Sequence, residues 1–237
     1  MKTILKAFKQ FLGEIWKDSM LAIMLFVPIL AGFFFKFAIP QLEIFLTDYF
    51  KISEILSPYY LLFDAFLTAL PPLMFSFAGA MVMLGESDIG LSEYLSVTPL
   101  CKSGYMVSRI VIPTIISIVY GVIIALIFSL SGLFIFESLI LSSANGFISV
   151  IISMIIVSIS TNKVEGMALS KLSSIILLGL PLPFFVTGKV QYLASFLPSF
   201  WLGKTIVKNS FLFLLPFLAV SIIWLFFLQK RFIKKLI

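Results

Sequence analysis

Six apolar runs, each long enough to cross a lipid bilayer, dominate this 237-residue sequence and leave few folds open to it. A helix needs roughly 20 residues to span the hydrocarbon core. The runs lie at Met20–Ile39, Tyr60–Leu84, Ile110–Leu130, Leu139–Ser160, Met167–Phe185 and Ser210–Leu228. They are apolar on every side, whereas barrel strands would alternate over roughly 10 residues. The expectation is an all-α integral membrane protein with six transmembrane helices in a single transmembrane domain, 1–237. Composition agrees: 12% of residues are charged and mean hydropathy is +1.16, too polar-poor for a soluble surface.

Basic residues set the orientation. With the N-terminus inside, 12 of the 17 Lys and Arg fall on the inner side. Lys36, Lys51, Lys189, Lys204 and Lys208 fall outside. The positive-inside rule therefore predicts both termini in the cytoplasm and the chain in the cell membrane. Topology accounts for the net charge of +6, so no nucleic-acid partner is expected. The first run is too long for a cleavable signal and lacks a small-residue cleavage site. Cys101, the single cysteine, allows no internal disulfide.

Two amphipathic stretches flank the first run. Leu5, Phe8, Phe11, Leu12, Ile15 and Trp16 recur at helical spacing within residues 1–18, with lysines on other faces. This predicts an interfacial helix in the inner headgroup plane, a simple positive anchor being the alternative. Leu42, Phe45, Leu46, Tyr49 and Phe50 predict a second one, resting on the outer leaflet.

Chemistry is scarce. Histidine is absent, and no span holds paired carboxylates, so neither a general base nor a metal site can be assembled in the usual way. The expectation is no catalytic residue, no metal and no cofactor on this chain. Gly203-Lys204-Thr205 ends like a phosphate-binding loop, but Pro198 stands where that pattern needs glycine. Asp64, about one turn inside the second run, is a candidate coupling-cation or cationic-substrate site, because intramembrane charge is costly. Capping the outer end of its own helix is the favoured alternative. Asn145 is expected to make an interhelical hydrogen bond. Pro71 and Pro72 predict a kink in the second span that is compatible with a gate.

The loop after the second run is the most informative segment. Leu91, Tyr94, Leu95 and Thr98 share a helical face, Glu86 and Asp88 suit a helix N-terminus, and Pro99 stops the helix. A short amphipathic helix over 86–98 follows, acidic at its start and better suited to a protein partner than to anionic lipid. Docking on the membrane is the alternative.

The order Glu86, Gly90, Glu93, Tyr94, Leu95, Thr98, Pro99 resembles the permease subunits of type-2 ABC exporters. Residues 161–168, with Glu165, resemble that family's loop between spans four and five, and the whole chain matches its layout. The resemblance implies that Glu86, Asp88, Gly90, Leu91, Glu93, Tyr94, Leu95, Thr98 and Pro99 form a cytoplasmic coupling helix. It would dock on a separate ABC ATPase subunit, with Glu165 as a secondary contact and ATP and Mg held by that partner. It also implies a broken outer hairpin before the last span, with re-entrant helices over 186–208. Phe196, Phe200 and Trp201 would then lie above a pathway shared with a second permease copy or a related permease.

The function expected is ATP-powered export of a hydrophobic or amphipathic cargo such as a drug, peptide or lipid. The 27 phenylalanines agree with such a cargo. The rivals are an ion-coupled secondary transporter or channel using Asp64, and a non-transporting membrane immunity protein.

Overall fold

The computed structural model describes residues 2–91, 94 and 100–235. Among them there is no strand; every regular element is helical. Helix α1 spans Lys2–Lys17. The Asp18 carboxylate then accepts the Met20 and Leu21 amides at 3.1 and 3.4 Å and starts α2, Ser19–Met24. Pro28 has no N–H for the Met24 carbonyl, so the chain steps at Leu25–Phe26 before α3, Val27–Phe50. Helix α3 runs through Pro40 without ending, and its 24 residues are about 36 Å long. The stretch Leu42–Phe50 is thus the far end of the first long helix and not a separate surface helix.

A clasp turns the chain back. Both oxygens of Glu43 accept from the amides of Ile55 and Leu56 at 3.0 and 2.6 Å, and the Ser57 hydroxyl donates at 2.5 Å. This anchors the turn Ser57–Tyr59 that opens α4, Tyr60–Asp88. Helix α4 is the central post: most of its side chains are buried, Pro71 and Pro72 included. It packs against α6, Ile112–Phe128, and α7, Ile135–Ile159. Ser138, Ser142, Asn145, Ser149 and Ser153 form a buried stripe along α7 at helical spacing. Their small volume lets the three helices approach closely.

Helix α5, Cys101–Met106, enters α6 through a wide π turn, Val107–Val111. Pro113 explains the turn. It offers no N–H to Arg109, four residues back, and its ring pushes that carbonyl outward. The displaced carbonyl lies against Gly79 of α4, where a Cβ would sit 2.7 Å from the Arg109 oxygen.

The last third of the chain is broken. Helix α8, Lys163–Ser173, tightens into a 3-10 turn, Ser174–Gly179, and α9 adds only Leu182–Phe185. Pro181 and Pro183 cannot donate to the ladder, so the expected span Met167–Phe185 is not one continuous helix. A 3-10 turn at Lys189–Ala194 and α10, Pro198–Lys208, precede the final helix α11, Leu214–Lys235, which a turn at Phe211–Phe213 introduces. Among the described residues, five helical stretches are long and apolar enough to cross a membrane: Ser19–Phe50, Ser57–Asp88, Cys101–Phe128, Ile135–Ile159 and Phe211–Phe232.

Helix α1 forms over the expected residues and packs one face on protein. Ala7, Phe11 and Ile15 are buried in the main core, while Leu5 and Trp16 face outward. It is docked on the end of the bundle, with Lys6 and Lys9 exposed.

Candidate functional site

Three segments distant in sequence meet where α1 docks. Arg109 is fully buried and Glu86 is 4% exposed. The guanidinium holds the carboxylate through both oxygens: Nη2 donates to Oε1 at 2.6 Å and Nε to Oε2 at 3.1 Å. The Tyr105 hydroxyl donates to the same Oε2 at 2.8 Å. The remaining Arg109 nitrogen donates to the Ala7 carbonyl of α1. The rings of Phe11 and Tyr105 lie 5.5 and 5.7 Å from the guanidinium carbon. A planar fork of donors suits this triple attachment, which a lysine could not reproduce.

The knot ties the end of α4 to the start of the next long helix. Here the expected helix over 86–98 is corrected in part. Residues 86–88 complete α4, and Glu86 points into the knot, so its side chain is not displayed to a partner. Gly90 adopts φ +70°, a left-handed conformation that costs glycine little, and ends the helix. Leu91 is helical and half-buried, and Tyr94 is helical and 67% exposed. Glu93, Leu95, Thr98 and Pro99 lie outside the described residues.

A second clasp lies alongside. The Lys163 ammonium contacts the Asp18 carboxylate at 2.7 Å, and the Lys163 amide donates to exposed Asp88 at 3.2 Å. The Lys163 ammonium holds the Asp18 carboxyl below the usual aspartate range. Asn162 caps α8 by accepting the Glu165 amide at 2.9 Å, and Glu165 accepts the Thr161 amide and hydroxyl at 2.6 and 2.8 Å. The loop singled out by Glu165 is therefore a rigid helix start joined to α4 and α1. A cavity of about 540 Å³ opens between these parts, lined by Lys17, Asp18, Glu86, Ile89, Leu91 and Lys163 among others.

The pathway candidates lie elsewhere. Asp64 is completely buried and filled by donors: the amides of Leu130 and Ser131 at 2.8 and 2.9 Å, and the Ser131 hydroxyl. It holds the loop that follows α6, accepting that loop's amides, and does not cap its own helix. Asn145 donates to the Ala65 carbonyl and the Thr68 hydroxyl at 3.2 and 3.1 Å, an α7-to-α4 bond of the expected kind.

Phe196, Phe200 and Trp201 lie in the broken region, where the rings of Phe200 and Trp201 pack edge to face. Phe200 is buried and Phe196 exposed, and the Trp201 indole donates to the Ser195 carbonyl at 2.8 Å. Trp224 donates to the Phe196 carbonyl at 2.9 Å, which draws this loop about ten residues down α11, roughly 15 Å along its axis. Lys204, from the discounted phosphate-loop pattern, is 4% exposed. Its ammonium lies 3.6 Å from the Tyr192 ring centre and 5.5–6.0 Å from those of Phe200, Trp201 and Phe213. Ring faces stabilise a cation in such a box. Among the described residues, no three acidic or cysteine side chains gather to hold a metal.

Sequence reasoning missed Arg109, Tyr105, Lys163 and Lys204. The one available signal was Pro113, four residues beyond Arg109, which marks a helix distortion next to a charge.

Long apolar helices bent around a shared core, with loops knotted at one end, define a multi-span membrane protein. The chain belongs to the Rv2686c-like family of fluoroquinolones export permease proteins, whose family profile matches residues 11–229. It is similar to the fluoroquinolones export permease proteins Rv2686c and MT2760 of two Mycobacterium tuberculosis strains, H37Rv and CDC 1551. Each is 25% identical over 193 residues, covering 75% of this chain and 74% of the relative. The chain is thus a member of a family of membrane export permeases. No solved structure matches the chain significantly.

Proposed function

We propose that the chain is the membrane-spanning half of an ATP-driven exporter, moving amphipathic drug-like cargo of the fluoroquinolone type out of the cell. ATP and Mg belong to a separate cytoplasmic ABC ATPase subunit, and a second permease copy or a related permease completes the pathway. The α1 end faces the cytoplasm, with both termini, because most basic residues collect there. The opposite end carries the re-entrant segment 186–208, above the route.

One observation carries this reading: the knot of Arg109, Glu86 and Ala7 at the base of residues 89–100. A docking element can drive helices only if its base is rigid. Here a push on Tyr94, Glu93 or their neighbours would reach α4, α5 and α1 together. The ATPase shifts the permease between inward and outward access only through different affinity for the two states. Asp88 and Glu165 lie beside that element and would steer a basic partner surface. The saturated carboxylate of Asp64 speaks for ATP coupling over ion coupling, since a cation would have to displace three donors.

The test is paired replacement of Glu93 and Tyr94 by alanine in cells carrying the complete transporter. Drug efflux and permease-stimulated ATP hydrolysis should fall together at normal membrane levels of the chain. Unchanged efflux at those levels would overturn the reading.

A further inference from the structure

The proline-bearing α4 and the last turn of α8 face one another across a cavity that the coupling knot does not use. It measures about 440 Å³ and is walled by α2, α4, α7 and α8. That lies in the range of sites for drug-sized molecules. Four methionines line it, Met20, Met24, Met74 and Met167, with Phe77 beside them. Met74 and Phe77 lie just past Pro71-Pro72, so the interrupted ladder of α4 shapes one wall. The opposite wall is the last turn of α8, where it tightens into the 3-10 turn. Broken helices within apolar surroundings are tolerated where they are buried in protein or line a cavity.

One charge lines this cavity. Lys171 is exposed and projects from the α8 wall. No acidic side chain lines the space. Unbranched, polarizable thioethers adapt to flat aromatic bodies of varied outline. A single ammonium at the edge complements one anionic group. We infer that this cavity, within a single chain, is a binding site for planar aromatic organic acids, whose carboxylate pairs with Lys171 while the ring system lies among the methionines. The inference rests on the exporter reading for its cargo class and adds a site and a required charge.

The experiment measures binding of a fluoroquinolone acid and its methyl ester to the purified full chain in lipid nanodiscs, with empty nanodiscs subtracted. Lys171→Ala should weaken acid binding about tenfold and ester binding less than twofold, since a charge-assisted bond is lost only for the acid. Lys171→Arg should retain the acid, and Met74→Trp, which fills the cavity, should weaken both. Equal loss of acid and ester in Lys171→Ala, no loss of either, or no binding above empty nanodiscs would overturn the site. A Lys171→Ala chain that binds the acid normally while ATP-dependent efflux persists would overturn the site and leave the exporter reading standing.

Discussion

Arg109 and Glu86, 23 positions apart, form a bidentate buried ion pair whose third attachment reaches the Ala7 carbonyl 102 positions away. The pair joins the end of α4 to the π turn that leads into α6. Removing one partner leaves the other charge buried and unpaired, which typically costs about 3–5 kcal/mol. Arg109→Ala should therefore unfold in detergent well below the parent temperature and loosen α1, read as faster proteolysis after Lys6 and Lys9. The double change Arg109→Met with Glu86→Leu should cost less than the sum of the single changes, because the two residues act as one unit.

Asp64 anchors the loop that follows α6. Asp64→Asn weakens acceptance from two amides and a hydroxyl and should lower stability by about 1–3 kcal/mol. Efflux by the surviving folded protein should respond to ATP depletion and not to collapse of ion gradients. Loss of efflux with unchanged thermal stability would instead assign Asp64 a coupling role.

Gly203 meets the broken helix at its weakest point. A Cβ there would fall 2.1 Å from the Leu180 carbonyl oxygen, which is backbone and cannot swing away. The Ser199 hydroxyl donates to the Ile176 carbonyl nearby, so α10 lies directly on the distorted turn. Gly203→Ala should force α10 off that turn and cost about 1–3 kcal/mol, the usual penalty of overpacking. Hydrogen exchange localised to residues 174–208 checks it.

The pair of Asp18 and Lys163 predicts a pH signature. Lys163 lowers the Asp18 pKa from its usual 3.8, so the contact contributes stability above that pH. The contribution is lost as pH falls through the lower folded-state value. Asp18→Asn should therefore melt below the parent at pH 7, and the gap should close only on acidification below about 3.8. Because both groups are about one-third exposed, the gap should also shrink in high salt.

Much of the fold was legible because apolar run length is a local property. The first four spans and the last one appear as long helices near their expected places. The segment 167–185 has the apolar length of a span, but Gly179, Pro181 and Pro183, legible as interruptions in the sequence, leave it as short helical pieces. The helix over 1–17 was foreseen, but not its partner: Phe11 and Ile15 look the same whether lipid or protein covers them.

The site was less legible. Glu86 and Asp88 read alike as acids before a short helix, yet one is buried against Arg109 and the other is exposed. Lys204 read as a chance motif, yet four aromatic rings surround its ammonium.

The sequence by itself determined that this chain crosses a membrane, roughly where it does so, and which end collects positive charge. Those properties sum over neighbouring residues. Tertiary structure decided which charges pair, which carboxylate anchors a loop, and where the helices leave a cavity. Such outcomes depend on which helices lie side by side. Pairing across 23, 66 or 102 positions leaves no trace in local periodicity.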